Sequence, residues 1–179
     1  MVWRMLVQGL THLHSKRIVH RDLKTLNIFL TEDGRIKVRL LHVHVVVDGP
    51  WVDVLVREQI GDLGVSRILG RDSNLESRVG TPLYLAPELI RQQPYSYKVD
   101  IWSLGCVIYT LAALQPPFRG ENLLALAQVI LHKKPKPLPP FYTKSLRVVV
   151  ASMLEKVASK RPTIAQVRVV SHVMSCLHA

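Results

Sequence analysis

One ten-residue run, IVHRDLKTLN at residues 18–27, constrains this chain more than any other segment. Before it, Val2, Leu6, Leu10 and Leu13 recur at helical spacing, which predicts a helix over residues 2–14. The run breaks that period and reads as a loop. Within it Asp22 is followed two residues on by Lys24 and three further on by Asn27. These are the parts needed to handle a phosphoryl group. A carboxylate accepts or orients the proton of an attacking hydroxyl, an ammonium neutralises charge on the transferred phosphate, and an amide oxygen binds a hard cation. The plainer alternative, a polar loop with an Asp–Lys ion pair, leaves so many matched positions unexplained that it is set aside.

Most of the remaining regular structure reads as helical. IFL and RIKV, separated by TEDG with its Asp-Gly turn, read as two short strands. After Gly64 a long irregular polar segment runs to TPLYLAPE. Helices are predicted at about residues 97–114, 121–132, 143–155 and 163–177. The last opens on TIAQ, where Thr163 can cap and Gln166 can reach back, just after Pro162. KPKPLPPFY is a proline-rich connection, and no internal repeat is found.

Composition narrows the partners. Of 179 residues 24 are Lys or Arg and 13 Asp or Glu, a formal net charge of +11. The basic residues are scattered, with HKKPKP at 132–137 the one tight cluster, and the few aromatics are not interleaved with them. A solvated basic surface, completed by an acidic partner, is therefore favoured over a nucleic-acid site. No apolar run approaches the roughly 18 residues a membrane span needs, and the interrupted N-terminus makes a poor signal peptide. Cys106 and Cys176 sit in apolar helical contexts, which suggests a reducing compartment, the cytoplasm or the nucleus.

Further motifs follow HRDLKTLN in order: GDLG with Asp62, GTPLYLAPE with Ala86-Pro87-Glu88, then DIWSLGCVIYTL and RPT. Together they resemble the C-terminal lobe of a eukaryotic protein kinase. Lys24 and Gly80-Thr81 are features of Ser/Thr kinases, and DLKTLNIFL, GDLG and PYSYKVDIWSLGC look most like the NIMA-related kinases. The resemblance implies a mainly α fold, a kinase-like C-lobe with short β-hairpins, using ATP and Mg²⁺ on protein substrates. It implies that Asp22 is the catalytic base or orients the substrate hydroxyl, that Lys24 contacts the transferring phosphate, and that Asn27 and Asp62 hold Mg²⁺. Phe29 would lie under the adenine ring and Arg21 would meet an activation-segment phosphate, with Ser77 the candidate acceptor. Thr81 would bond with Asp22 and Lys24, helping define a Ser/Thr site. Glu88 would pair with Arg161, and Asp100 would brace the catalytic loop from the central helix.

Two departures qualify the resemblance. No glycine-rich phosphate loop, strand Lys or partner Glu is found, so residues 1–179 read as a partial kinase domain without the N-lobe that normally packs on it and closes the nucleotide site. Such a chain is expected to be inactive alone. Second, GRIK should adjoin IGDLG, yet residues 38–59 stand between them. They are either a real insertion, with LLHVHVVV and WVDVLV forming a hairpin around Asp48-Gly49, or a retained intron whose removal leaves GRIKIGDLG. As an insertion the segment is expected to project from the lobe and add nothing to its core. Two function classes remain: a Ser/Thr kinase whose chain is incomplete, and a noncatalytic kinase-like fragment that acts by binding, as pseudokinases do.

Overall fold

The computed structural model describes residues 2–40, 43–47 and 83–176. In chain order the elements are α1 (Val2–Ser15), β1 (Ile28–Leu30), β2 (Ile36–Leu40), β3 (Val43–Val47), α2 (Pro87–Ile90), α3 (Lys98–Ala113), α4 (Leu123–His132), α5 (Lys144–Met153) and α6 (Ile164–Cys176). Single 3₁₀ turns lie at Thr25–Asn27 and Ala158–Lys160.

Helix α3 organises the rest because it is apolar all round, and such a helix must be covered on every side. Val99, Ile101, Trp102, Leu104, Cys106 and Val107 are all buried. Gly105 lets α5 come close: a Cβ there would stand 2.9 Å from the Met153 Cβ. Trp102 and Phe118 stack with ring centroids 5.4 Å apart. Helix α4 starts where Asn122 caps it, its side chain accepting the Ala125 N–H at 2.8 Å. Helix α6 opens on a reciprocal capping box, in which Gln166 N–H donates to Thr163 Oγ1 at 3.3 Å and Thr163 N–H donates to Gln166 Oε1 at 2.7 Å.

The sheet is antiparallel in the order β1–β2–β3. Gly34, at φ 78°, permits the tight turn between β1 and β2. The third strand corrects the reading of residues 38–59. LLHVHVVV was expected as one strand of a hairpin; instead Leu40 ends β2 and pairs with Val43, the first residue of β3. Nor is the segment wholly outside the core, since Val38 is only 6% exposed and belongs to the apolar cluster. Alternation explains this: Val38 shares the inward face of β2 with Ile36. The hairpin expected around Asp48-Gly49 lies outside the described residues. No helix among the described residues is long and apolar enough to cross a membrane.

Candidate functional site

The loop that carries Asp22 begins with the way α1 ends. Arg17 takes the left-handed conformation (φ 60°). Ile18 N–H then bonds the Leu13 carbonyl at 2.9 Å and Arg17 N–H the His14 carbonyl at 3.1 Å. This is the Schellman arrangement, with Arg where Gly is more usual. It turns the chain back under α3.

There the loop meets Asp100, whose side chain is fully buried on the first turn of α3. Asp100 Oδ2 accepts the His20 amide and Oδ1 accepts the Arg21 amide, each at 2.9 Å. His14 Nε2 donates to Oδ2 at 2.9 Å. Three donors satisfy a carboxylate that burial would otherwise penalise heavily. The grip matters because Arg21 is itself left-handed, at φ 67°. A non-glycine residue held there stores on the order of 1 kcal/mol or more of strain.

Beyond that strained residue the side chains named from the sequence converge. Lys24 Nζ lies 2.9 Å from Asp22 Oδ1, and Asn27 Nδ2 donates to both the Asp22 carbonyl (2.8 Å) and Oδ2 (2.9 Å). Asn27 is buried by the 3₁₀ turn that carries it, while Asp22 is half exposed. Because the Asn27 amide nitrogen is committed to Asp22, its oxygen is the atom left to face a cation. Phe29, on β1, is 37% exposed between the more open Leu26 and Leu30. The Arg21 guanidinium stands 5.1 Å from the centre of the Tyr95 ring.

Glu88 and Arg161 form a second, structural centre. Arg161 Nη1 and Nη2 each reach a Glu88 carboxylate oxygen at 2.7 Å, a bidentate pair closed to solvent. Arg161 also donates to the Lys98, Glu155 and Lys156 carbonyls. Asp62, Ser77 and Thr81 lie outside the described residues, and among the described residues no cluster of metal-ligating side chains is present.

Four contributing residues escaped the sequence reading. His14 lies before the loop motif, in an unremarkable helical turn. Thr25 and Tyr84 share a hydrogen bond of 2.8 Å between hydroxyls, joining the Asp22 loop to the segment before Glu88. Ser103 Oγ donates to the Tyr84 carbonyl at 3.0 Å. Tyr84 stands inside GTPLYLAPE, so its place in a motif was the available signal.

The family model described as "Protein kinase domain" matches residues 1–173. The serine/threonine-protein kinase Nek4 of Mus musculus is 34% identical over 163 residues, covering 90% of this chain and 18% of its own length. A probable serine/threonine-protein kinase, nek3 of Dictyostelium discoideum, is 40% identical over 159 residues, covering 88% of this chain and 12% of its own. The serine/threonine-protein kinase nekl-2 of Caenorhabditis elegans is 37% identical over 158 residues, covering 88% and 38%. The chain thus spans well under half the length of these curated relatives. The chain belongs to the protein kinase family, and within it is most like the Ser/Thr kinases of the NIMA-related group.

Proposed function

We propose that the protein to which these residues belong transfers the γ-phosphate of ATP to Ser and Thr hydroxyls of protein substrates. The observation that carries this reading is the convergence of Lys24 and Asn27 on the Asp22 carboxylate, in a loop anchored to buried Asp100. Bound Mg²⁺-ATP supplies the phosphoryl group and the charge of the cation. Asp22, half exposed and held by Asn27, accepts the hydrogen bond of a substrate hydroxyl and aims its oxygen. Lys24 is tied to Asp22 by a partly exposed pair, worth about 0–1 kcal/mol. Its ammonium therefore moves to a phosphate oxygen at little cost. The Asn27 amide oxygen, with Asp62, holds the metal, and Phe29 forms an apolar floor for the adenine. Arg21 receives a phosphate on the activation segment, with Ser77 the proposed acceptor, and Thr81 favours Ser/Thr hydroxyls.

The exposed Leu26, Phe29 and Leu30 fit a surface that an N-lobe covers. These 179 residues contain no glycine-rich loop or strand Lys of that lobe, so transfer by them alone is not expected. The buried free thiol of Cys106 fits a cytoplasmic or nuclear setting. One observation favours the second reading, a noncatalytic binding module: β3 is paired onto β2 in the stretch between Lys37 and Asp62, close in sequence to a metal ligand.

The test supplies an N-lobe upstream, removes residues 38–59 and measures both nucleotide binding and turnover. Asp22→Asn should lower turnover by about 10²- to 10⁴-fold with nucleotide binding retained. Asp62→Asn should weaken Mg²⁺-dependent nucleotide binding as well. A folded protein that binds nucleotide and never transfers phosphate moves the assignment to the binding module.

A further inference from the structure

Phosphate transfer at Asp22 makes no use of the exposed basic run that follows α4, with Lys133, Lys134 and Lys136 facing solvent. Among the described residues none of these lysines forms an ion pair. Carboxylates are scarce in this half of the chain. From residue 83 to residue 176 there are seven lysines and five arginines, against Glu88, Asp100, Glu121 and Glu155 alone. Glu88 is committed to Arg161, and Asp100 to the Asp22 loop. The chain itself therefore has little with which to neutralise the run.

The run is also held in shape. Lys133 is extended (φ −101°, ψ 143°), and its amide bonds the Val129 carbonyl at 2.9 Å. Lys134 and Lys136 each precede a proline, which keeps them out of the helical region. Leu138, 5% exposed, pins the middle of the connection, and at its far end the Tyr142 hydroxyl donates to the Ala112 carbonyl at 3.0 Å. The ammonium groups thus stand on a backbone ordered before any partner arrives, which lowers the entropy cost of binding. At about 3.3 Å per extended residue, the Lys133 and Lys136 Cα atoms are about 10 Å apart. One carboxylate or phosphate cannot meet all three lysines. An extended peptide with acidic residues at alternate positions, about 7 Å apart, can. Nucleic acid fits less well: the run has no arginine fork, and Pro135 and Pro137 offer no backbone N–H. Phe141, the exposed ring of this connection, gives one stacking face where a strand of bases uses several. We propose that Lys133, Lys134 and Lys136 form a docking strip for an extended acidic segment of a partner protein. Such docking does not depend on phosphate transfer.

The test measures, by fluorescence anisotropy at about 0.15 M salt, binding of a labelled peptide of alternating Glu and Ser to the 179-residue chain. Lys133→Glu, Lys134→Glu and Lys136→Glu together should weaken binding by about tenfold or more. The same reversals at exposed Arg119, Lys144 and Lys160 change the net charge equally and should weaken it by less than about threefold. Equal losses in the two triple variants mean attraction by net charge alone and overturn the proposal. So does an affinity unchanged by the first triple, or an oligouridylate that binds the wild type more tightly than the peptide. Should the first triple not fold, ¹⁵N amide shifts of the wild type on adding the peptide decide. They must move foremost at Lys133, Lys134 and Lys136, and shifts confined to other residues overturn the proposal.

Discussion

At the scale of residues, charge without water decides what each buried group does. Arg161 has lost all solvent and returns its cost through two bonds to Glu88 and three to backbone carbonyls. Arg161→Ala leaves Glu88 buried and alone, a loss of about 3–5 kcal/mol. The variant should be unfolded or aggregated at temperatures where the parent is folded, by thermal denaturation. A melting temperature within a degree of the parent's removes the pair as a structural centre. Lys156 presents the opposite case. Its ammonium lies 4.0 Å from the Phe118 ring centre and 4.9 Å from that of Trp102. Burial, helped by the charge of Arg161, lowers its pKa to about 8. Unfolding returns it toward 10.5, so between these values the unfolded chain binds the extra proton. Stability from this group therefore rises with pH across the window, and its penalty is fully present below about 8. Burial raises the Cys106 thiol and acts in the other direction above its ordinary 9.0, so a reference variant is needed. Lys156→Met keeps the chain length. Wild type should gain stability relative to it from pH 8 to pH 10 in denaturant titrations; a constant difference contradicts the assignment.

Elements were legible from sequence to the extent that their signals are local. Helical spacing predicted α1 and α3–α6, with ends within about two residues, and TIAQ announced the α6 capping box. Helix α4 starts two residues later than expected because Asn122 serves as its cap. Helix α2, Pro87–Ile90, is too short to show a period. The β2–β3 reversal was missed because LLHVHVVV, apolar but for its two histidines, carries no Gly, Pro, Asn or Asp at positions 41 and 42. In the site, Asp22, Lys24 and Asn27 were visible because one loop carries them. The His14–Asp100 and Thr25–Tyr84 contacts join positions 86 and 59 residues apart, which no local pattern reveals. Close packing of α3 on α5 gives an element-scale prediction. Gly105→Ala drives a methyl within 2.9 Å of Met153 Cβ and 3.1 Å of Leu154 Cδ2. Overpacking of this kind costs about 1–3 kcal/mol, against about 1 kcal/mol gained in helix propensity. The variant should melt below the parent; an unchanged or higher melting temperature means that α5 yields freely. At the other end of α3, Leu114 is left-handed (φ 55°) and 90% exposed. Leu114→Gly should raise stability by about 1 kcal/mol in chemical denaturation, since Gly adopts that conformation without the Cβ clash.

For the whole molecule, one helix holds both centres: α3 carries Asp100 toward the Asp22 loop and Lys98, whose carbonyl Arg161 binds. The Asp22 loop therefore shares a support with the Glu88–Arg161 ion pair. Residues 38–59 interrupt the sequence between GRIK and IGDLG, and of them Val38 is part of the core. Sequencing transcripts across Lys37 and Ile60 decides their origin: uniform retention of the segment excludes the intron reading. The measurement that reaches the central claim most directly is phosphoamino-acid analysis of a protein or peptide substrate. It should be run after incubation with Mg²⁺-ATP and this chain, supplied with an N-lobe and lacking residues 38–59. The account predicts phosphoserine and phosphothreonine, lost in Asp22→Asn. Phosphotyrosine alone, or transfer undiminished in Asp22→Asn, contradicts it.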